Sequence, residues 1–456
     1  MLFTDFNFWY FFLVVIFIIQ LNFKYIKSIN FQNIIFLIAS YLFYSFWDWR
    51  FLTLIIIVSF QTYYFGKLIK LFNQNKKIYL ISSIFINLFV LFFFKYFNFF
   101  STEFLNFLNL EDDIVLSKII LPVGISFYIF QSITYVVDIY FGKIKPETNI
   151  INYFAYVAFF PQLVAGPIER ASSLLPQFTK LHGINIKNFY LGLKYIIIGL
   201  SFKIVIADQL ASYVDKIFYK YYELPGGLLL LGSLLFSIQI YCDFCGYSLI
   251  AIGVAKIMNF NLSRNFDTPY FSNSIKNFWR RWHISLSNFF KDYVYIPLGG
   301  SRSKTKLKCF RNLMITFTLS GIWHGANWTF FIWGFLNGLL LFMQNIFKVK
   351  LPKIISWTLT LLSISFLWII FRSQTIYDAY NYISRIFLDF QLPELRRDLI
   401  ILVIYYLSID FLLFKYKDIS QIWFKNLTVQ NYILFSMFII LFFVNKSQTN
   451  FIYFEF

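Results

Sequence analysis

Ile78-Tyr-Leu-Ile-Ser-Ser-Ile-Phe-Ile-Asn-Leu-Phe-Val-Leu-Phe-Phe-Phe94 carries no charged side chain. A helix that crosses a bilayer needs about 20 mostly apolar residues, so this run and a few residues on either side read as a span. Phe8 to Leu21, Trp357 to Phe371 and Tyr432 to Val444 repeat the pattern. The runs are unbroken, which excludes the apolar and polar alternation of a membrane β-barrel. With 59% hydrophobic and 14% charged residues, the chain has too little polar surface to cover a water-soluble fold. The fold class is therefore an all-α polytopic membrane protein with membrane lipids as its solvent.

Outward from that stretch, residues 1 to 100 predict four spans, at roughly 6 to 22, 30 to 47, 51 to 66 and 78 to 97. The first follows Asp5 and has neither a basic start nor a small-residue cleavage site, so a retained span is expected in place of a signal peptide. Asn98 to Asp113 is amphipathic and reads as a segment along the outer surface. A fifth span is expected from about Ile119 to Tyr140, and others over Tyr190 to Ala207 and Leu228 to Gly253.

The formal charge of +18 would suggest nucleic acid in a soluble protein, but its placement points elsewhere. Lys24 and Lys27, then Lys67, Lys70, Lys76 and Lys77, then Lys143 and Lys145 fall in alternate loops. The intervening loops carry Asp48, Glu103, Glu111, Asp112 and Asp113. This is the positive-inside pattern, with the N-terminus outside and no nucleic-acid partner. Cys242 and Cys245 lie in an apolar run without the βαβ context of a redox motif, and read as small buried hydrophobes.

Several polar positions interrupt the apolar runs. Pro161-Gln-Leu-Val-Ala-Gly-Pro-Ile-Glu169-Arg170 breaks a helix, so it is either a re-entrant loop lining a chamber or an interfacial turn. His182, in a polar loop, reads as a surface residue. Asp243 sits within an apolar run, where a carboxylate is costly, and is assigned to orienting a histidine, binding a cation or pairing with an arginine.

Asn277 to Asn327 holds two of the three histidines, and the chemistry is placed there. Phe278-Trp-Arg280-Arg281-Trp282-His283 reads as a helix near the cytosolic face, and Leu313 to Trp323 as a re-entering apolar run. His324 then lies about ten residues, or roughly 15 Å, into the membrane. A histidine in an apolar helix is most often a satisfied structural residue. Here Gly321 and Gly325 let a ligand or another backbone approach, Asn327 offers an amide, and Trp323 and Trp328 offer flat walls. Imidazole is suited to take and return a proton near neutral pH, for instance from a hydroxyl attacking an acyl thioester. Three dispersed histidines and no carboxylate cluster do not predict a metal site.

Phe278-Trp-Arg-Arg-Trp-His283-Ile-Ser-Leu-Ser287, Tyr293-Val-Tyr-Ile-Pro-Leu-Gly-Gly300 and Gly321-Ile-Trp-His324-Gly-Ala-Asn-Trp328 resemble the signature segments of membrane-bound O-acyltransferases. Pro161 to Ile168 and Tyr241 to Ser248 are similar to segments of the bacterial polysaccharide O-acetyltransferase branch, the alginate and peptidoglycan O-acetylation subunits. Leu249 departs from that pattern, which has an acid after Gly-Tyr-Ser. The resemblance implies a bundle of about eleven or more helices around a chamber through the bacterial inner membrane. It implies one integral-membrane domain over residues 1–444 and an outer tail over 445–456. Acetyl-CoA is the implied donor, His324 the catalytic histidine and His283 a second functional one. Arg280, Arg281, Trp282 and Asn327 would serve the donor, although the arginines are equally well placed as positive-inside anchors.

Twelve extended tail residues reach at most ~40 Å, enough to fold back into an outer chamber. Phe451-Ile-Tyr453-Phe-Glu-Phe456 resembles a terminal signature in which the tyrosine is a transient acyl carrier. The implied partners are an extracytoplasmic polysaccharide O-acetyltransferase and its polysaccharide. Peptidoglycan is the first expected acceptor, because heavy use of Phe, Ile, Asn, Lys and Tyr suggests an AT-rich genome, with alginate or another exopolysaccharide next and teichoic acid D-alanylation further off. A transporter would call for inverted repeats and paired broken helices, which the sequence lacks. A non-catalytic membrane partner predicts that His324→Ala is silent.

Overall fold

Inside hydrocarbon every backbone N–H and C=O must be satisfied within the chain, so each apolar run folds as a helix. The computed structural model describes residues 1–108, 118–302, 305–347, 351–416 and 435–441. Eight helical segments among them are long and apolar enough to cross a membrane; two of these, Ile29–Leu71 and Ile186–Tyr219, each merge two α-helices. An exact count of eleven is not established by these eight. The chain divides into two units, Met1–Leu193 with Ala251–Ser263, and Lys194–Ile250 with Arg264–Phe456.

In the first unit α1 (Phe6–Leu21), α2 (Ile29–Asp48), α3 (Leu52–Leu71) and α4 (Lys76–Phe107) reproduce the four expected spans. Asn98 to Phe107 does not form a separate surface segment: α4 runs through it as one 32-residue helix. The rest of that expected segment, residues 109–113, lies outside the described residues. The next span begins later than expected, with α5 (Ile125–Tyr140), because Gly124 takes φ +73° and its Cβ position would lie 2.5 Å from the Leu163 carbonyl oxygen. Only glycine fits there.

The Pro161 break yields α6 (Ile150–Ala158), a one-turn α7 (Phe160–Leu163) and a short α8 (Ala171–Leu174). Its irregular backbone is packed within protein: Leu163, Ala165 and Glu169 are buried, and Gln131 and Gln162 both donate to the Tyr156 carbonyl at 3.0 Å. Glu169 accepts from the Ser263 amide and from Ser173 Oγ. His182 is not on the surface. It is buried, bonds the Gln177 carbonyl through Nε2 at 2.7 Å and stacks on Phe260 at 4.1 Å, because Gln32 draws its backbone amide inward.

The second unit takes α9 (Ile186–Leu200) from Lys194 on, a π-helical turn at Ser201–Ala207, α10 (Asp208–Tyr219) and α11 (Gly226–Ile257) as far as Ile250. It continues with α12 (Ile275–Arg281), α13 (Ile284–Phe290), α14 (Lys306–His324), α15 (Trp328–Ile346), α16 (Lys353–Arg372), α17 (Ile376–Leu388) and α18 (Arg397–Tyr416). Gly199 and Gly246 let α9 and α11 touch backbone to backbone, each Cβ position within 2.7 Å of the other's carbonyl oxygen. Small residues at such crossings are the usual device of membrane helices. Beside the crossing, Lys203 Nζ lies 2.6 Å from Asp243 and 2.7 Å from Asp208, all three buried. The pairing expected of Asp243 is found, with a lysine where an arginine was anticipated.

Candidate active site

Ser274 opens α12 by accepting from the Asn277 amide at 3.1 Å, and the helix then lasts only seven residues. It stops because His283 sits at φ +40°, ψ +57°, a left-handed conformation that costs a non-glycine residue about 1–2 kcal/mol. Asn265 holds it there. Its carbonyl takes the Ile284 amide at 2.8 Å, its Oδ1 takes Ser285 Oγ at 2.6 Å, and its Nδ2 donates to Ser248 Oγ at 3.0 Å. Asp267 N also bonds the Arg281 carbonyl at 3.0 Å. Surroundings that over-determine a strained backbone are a mark of functional positions. Trp282 is buried beside the turn, with its ring 5.5 Å from Phe278 and 5.0 Å from Trp368.

From the other side α14 presents Leu313, Thr316, Phe317, Ser320 and His324 to a cavity of about 630 Å³. These positions recur at three- and four-residue steps, so they share one helix face. His283, Trp282 and Arg280 line the same cavity, with Lys276 and Lys291. The expected pair of histidines, 41 positions apart in sequence, is thus brought to one space. Both are buried, and the Trp323 indole packs against both imidazoles, at 6.1 Å from His283 and 4.8 Å from His324. Trp333 and Phe371 complete the collar around His324, at 5.1 and 5.3 Å. Burial pushes the His283 imidazole down to about 3, so it is neutral at physiological pH.

Arg280 is exposed at the cavity rim with Lys276 and Lys291. Arg281 points elsewhere: its guanidinium lies over Phe414 at 5.8 Å and it does not line the cavity. Nor does Asn327. It caps α15 by accepting from the Thr329 amide at 3.0 Å, and its Nδ2 donates to the Gln374 carbonyl at 2.8 Å. Gly321 and Gly325 admit protein and not a ligand, because their Cβ positions would fall 2.3 Å from the Phe330 carbonyl oxygen and 2.1 Å from the Phe330 ring. Tyr453 lies outside the described residues. Among the described residues no three His, Cys, Asp or Glu side chains come together to hold a metal ion.

Thr316, Ser320, Lys276 and Lys291 were not singled out from sequence. The signal for the first two was the four-residue spacing Thr316, Ser320, His324, which puts all three on one helix face.

Two buried imidazoles lining one cavity with a basic rim can position an anionic thioester donor and accept a proton from a nucleophilic hydroxyl. The comparisons agree with that chemistry. The family model described as MBOAT, membrane-bound O-acyltransferase family, matches residues 41–371. Similar proteins include the probable alginate O-acetylase AlgI of Pseudomonas syringae pv. tomato, 38% identical over 83% of this chain and 75% of that protein. The peptidoglycan O-acetyltransferase of Helicobacter pylori is 37% identical over 78% of this chain and 73% of its own length. The teichoic acid D-alanyltransferase of Bacillus subtilis is more distant, 29% identical over 51% and 61%. The chain is a multi-pass membrane acyltransferase, and it belongs to the membrane-bound O-acyltransferase family.

Proposed function

We propose that the protein takes acetyl from cytosolic acetyl-CoA and passes it across the bacterial inner membrane for O-acetylation of a cell-envelope polysaccharide, peptidoglycan first. One observation carries this: His283 and His324 line one cavity whose rim is basic. Lys276, Arg280 and Lys291 suit the phosphates of CoA, and Trp282 and His283 position the pantetheine end. His324 takes the proton of an attacking hydroxyl as its oxygen forms a C–O bond to the acetyl carbon. The C–S bond then breaks, and the proton passes to the departing CoA thiolate. The hydroxyl is assigned to Tyr453, which carries the acetyl ester to an extracytoplasmic transferase that acts on the polymer.

The test is deletion of the gene and complementation with wild type, His324→Ala or Tyr453→Phe, with ester-linked acetate measured separately on peptidoglycan and exopolysaccharide. Deletion and either variant should remove peptidoglycan acetate while the variants remain inserted in the membrane. Unchanged acetate on both polymers after deletion overturns the reading, and normal acetylation by Tyr453→Phe removes the carrier step from it.

A further inference from the structure

A second cavity, of about 710 Å³, opens where α10 ends, where α16 gives way to α17, and along α17 itself. It falls within the range of small-ligand sites. With the basic loops in the cytosol these ends face outward. Phe371 links it to the site already described: its ring packs on His324, and the next residue, Arg372, lines the second cavity. Asn327, bonded to the Gln374 carbonyl, ties the turn after His324 to the cavity lip.

Two kinds of group make up its wall. Tyr219 and Tyr222 are rings 77% and 56% exposed, offering flat apolar faces at the opening. Between them are polar groups already locked in place. Arg372 is held 2.5 Å from Asp215, and its guanidinium lies 4.8 Å from the Phe218 ring and 4.7 Å from the Phe236 ring. Asp378 accepts from Tyr221 OH at 2.9 Å with one oxygen and from Thr375 with the other. Preorganised donors and acceptors lose little entropy on binding. The lining holds two acids, Asp215 and Asp378, against two bases, Lys216 and Arg372, and Arg372 is already paired.

Such a wall offers stacking faces and fixed polar groups but no net field for an anion. A polyuronate or a phosphate headgroup calls for clustered, uncommitted bases, as anionic ligands generally do. An uncharged ring chain bearing hydroxyls and amides meets both features, its C–H faces against the tyrosines and its hydroxyls on Asp378, Arg372 and Gln374. We propose that this cavity is an acceptor-side subsite for an uncharged N-acetylhexosamine glycan. It rests on the proposed orientation and polysaccharide acceptor, and deepens them by assigning strand capture to the membrane protein itself.

The test uses the full chain in nanodiscs, titrated with the N-acetylglucosamine tetramer and, separately, with a mannuronate tetramer, at low and high salt. The hexosamine tetramer should bind with little salt dependence, and the uronate should not bind. Tyr219→Ala combined with Tyr222→Ala should weaken hexosamine binding by at least about tenfold with unchanged thermal unfolding. Absent hexosamine binding, tighter uronate binding, equal binding by the double variant or displacement of the sugar by phosphatidylglycerol in the disc each overturns the proposal. Acetyl-CoA-dependent CoA release by the wild type is measured alongside. Its absence with sugar binding intact strikes the acetyl-transfer reading and leaves the subsite standing.

Discussion

Gly321→Ala tests how tightly the position of His324 depends on the helix crossing beneath it. The added methyl would sit 2.3 Å from the Phe330 carbonyl oxygen and 2.9 Å from Gly334 Cα. Both are backbone atoms, so no side chain can swing aside. Contacts of real Cβ atoms essentially never fall under 3.0 Å, so α14 and α15 must part by about 0.7 Å at least. Overpacking of this kind costs roughly 1–3 kcal/mol. His324 lies three residues on, clamped by Trp333 of α15 and Phe371 of α16, so it moves with the crossing. A misplacement approaching 1 Å at a reacting group lowers rate by about 100-fold. Purified protein assayed for acetyl-CoA-dependent transfer should show that loss with a moderately lower unfolding temperature. Gly338→Ala is the control, because its nearest neighbours, Met314 Sδ and Phe317 Cβ, stand at 3.2 Å and need to give by only a few tenths of an ångström. Wild-type turnover by Gly321→Ala would refute the argument that this crossing sets the imidazole's place.

Two further outcomes follow from the charged groups. Lys203→Met leaves Asp208 and Asp243 buried without their lysine and should destabilise by about 3–5 kcal/mol, seen as a collapse in unfolding temperature; adding Asp208→Asn and Asp243→Asn should restore most of it. A single variant as stable as wild type would contradict the role given to the triad. For pH, the unfolded chain protonates His283 below about 6.5 while the native imidazole resists until about 3. Stability therefore falls as pH drops through that window, by about 1.4 kcal/mol per unit for this residue. His182, also pushed down by burial, adds in the same direction. Unfolding measured at pH 7 and pH 5 should show a smaller acid loss in His283→Gln than in wild type, and an identical loss would exclude His283 from it.

The spans were legible because hydrocarbon leaves an apolar run one way to satisfy its backbone, and α1 to α4 fall where the runs do. The motif around His324 was legible from its residue types. What lay beyond sequence was direction. Asn327 reads as an amide near a histidine, yet it turns away to cap α15, since the first-turn amide of Thr329 competes for its oxygen. Gly321 reads equally as room for a ligand or a backbone, and only the partner helix decides between them. Lys203 carries a sequence signal of its own: a lysine inside an apolar run needs a carboxylate, and Asp243, inside another, is the one it meets.

The ring collar around His324 has an energetic consequence. A membrane that stores work as a proton gradient tolerates no continuous file of water from one face to the other. Trp323, Trp333 and Phe371 close on the imidazole with aromatic rings, which offer a hopping proton no chain of lone pairs. In the proposed transfer the acetyl group would change hands beside the imidazole, at this seal, while the gradient stays charged.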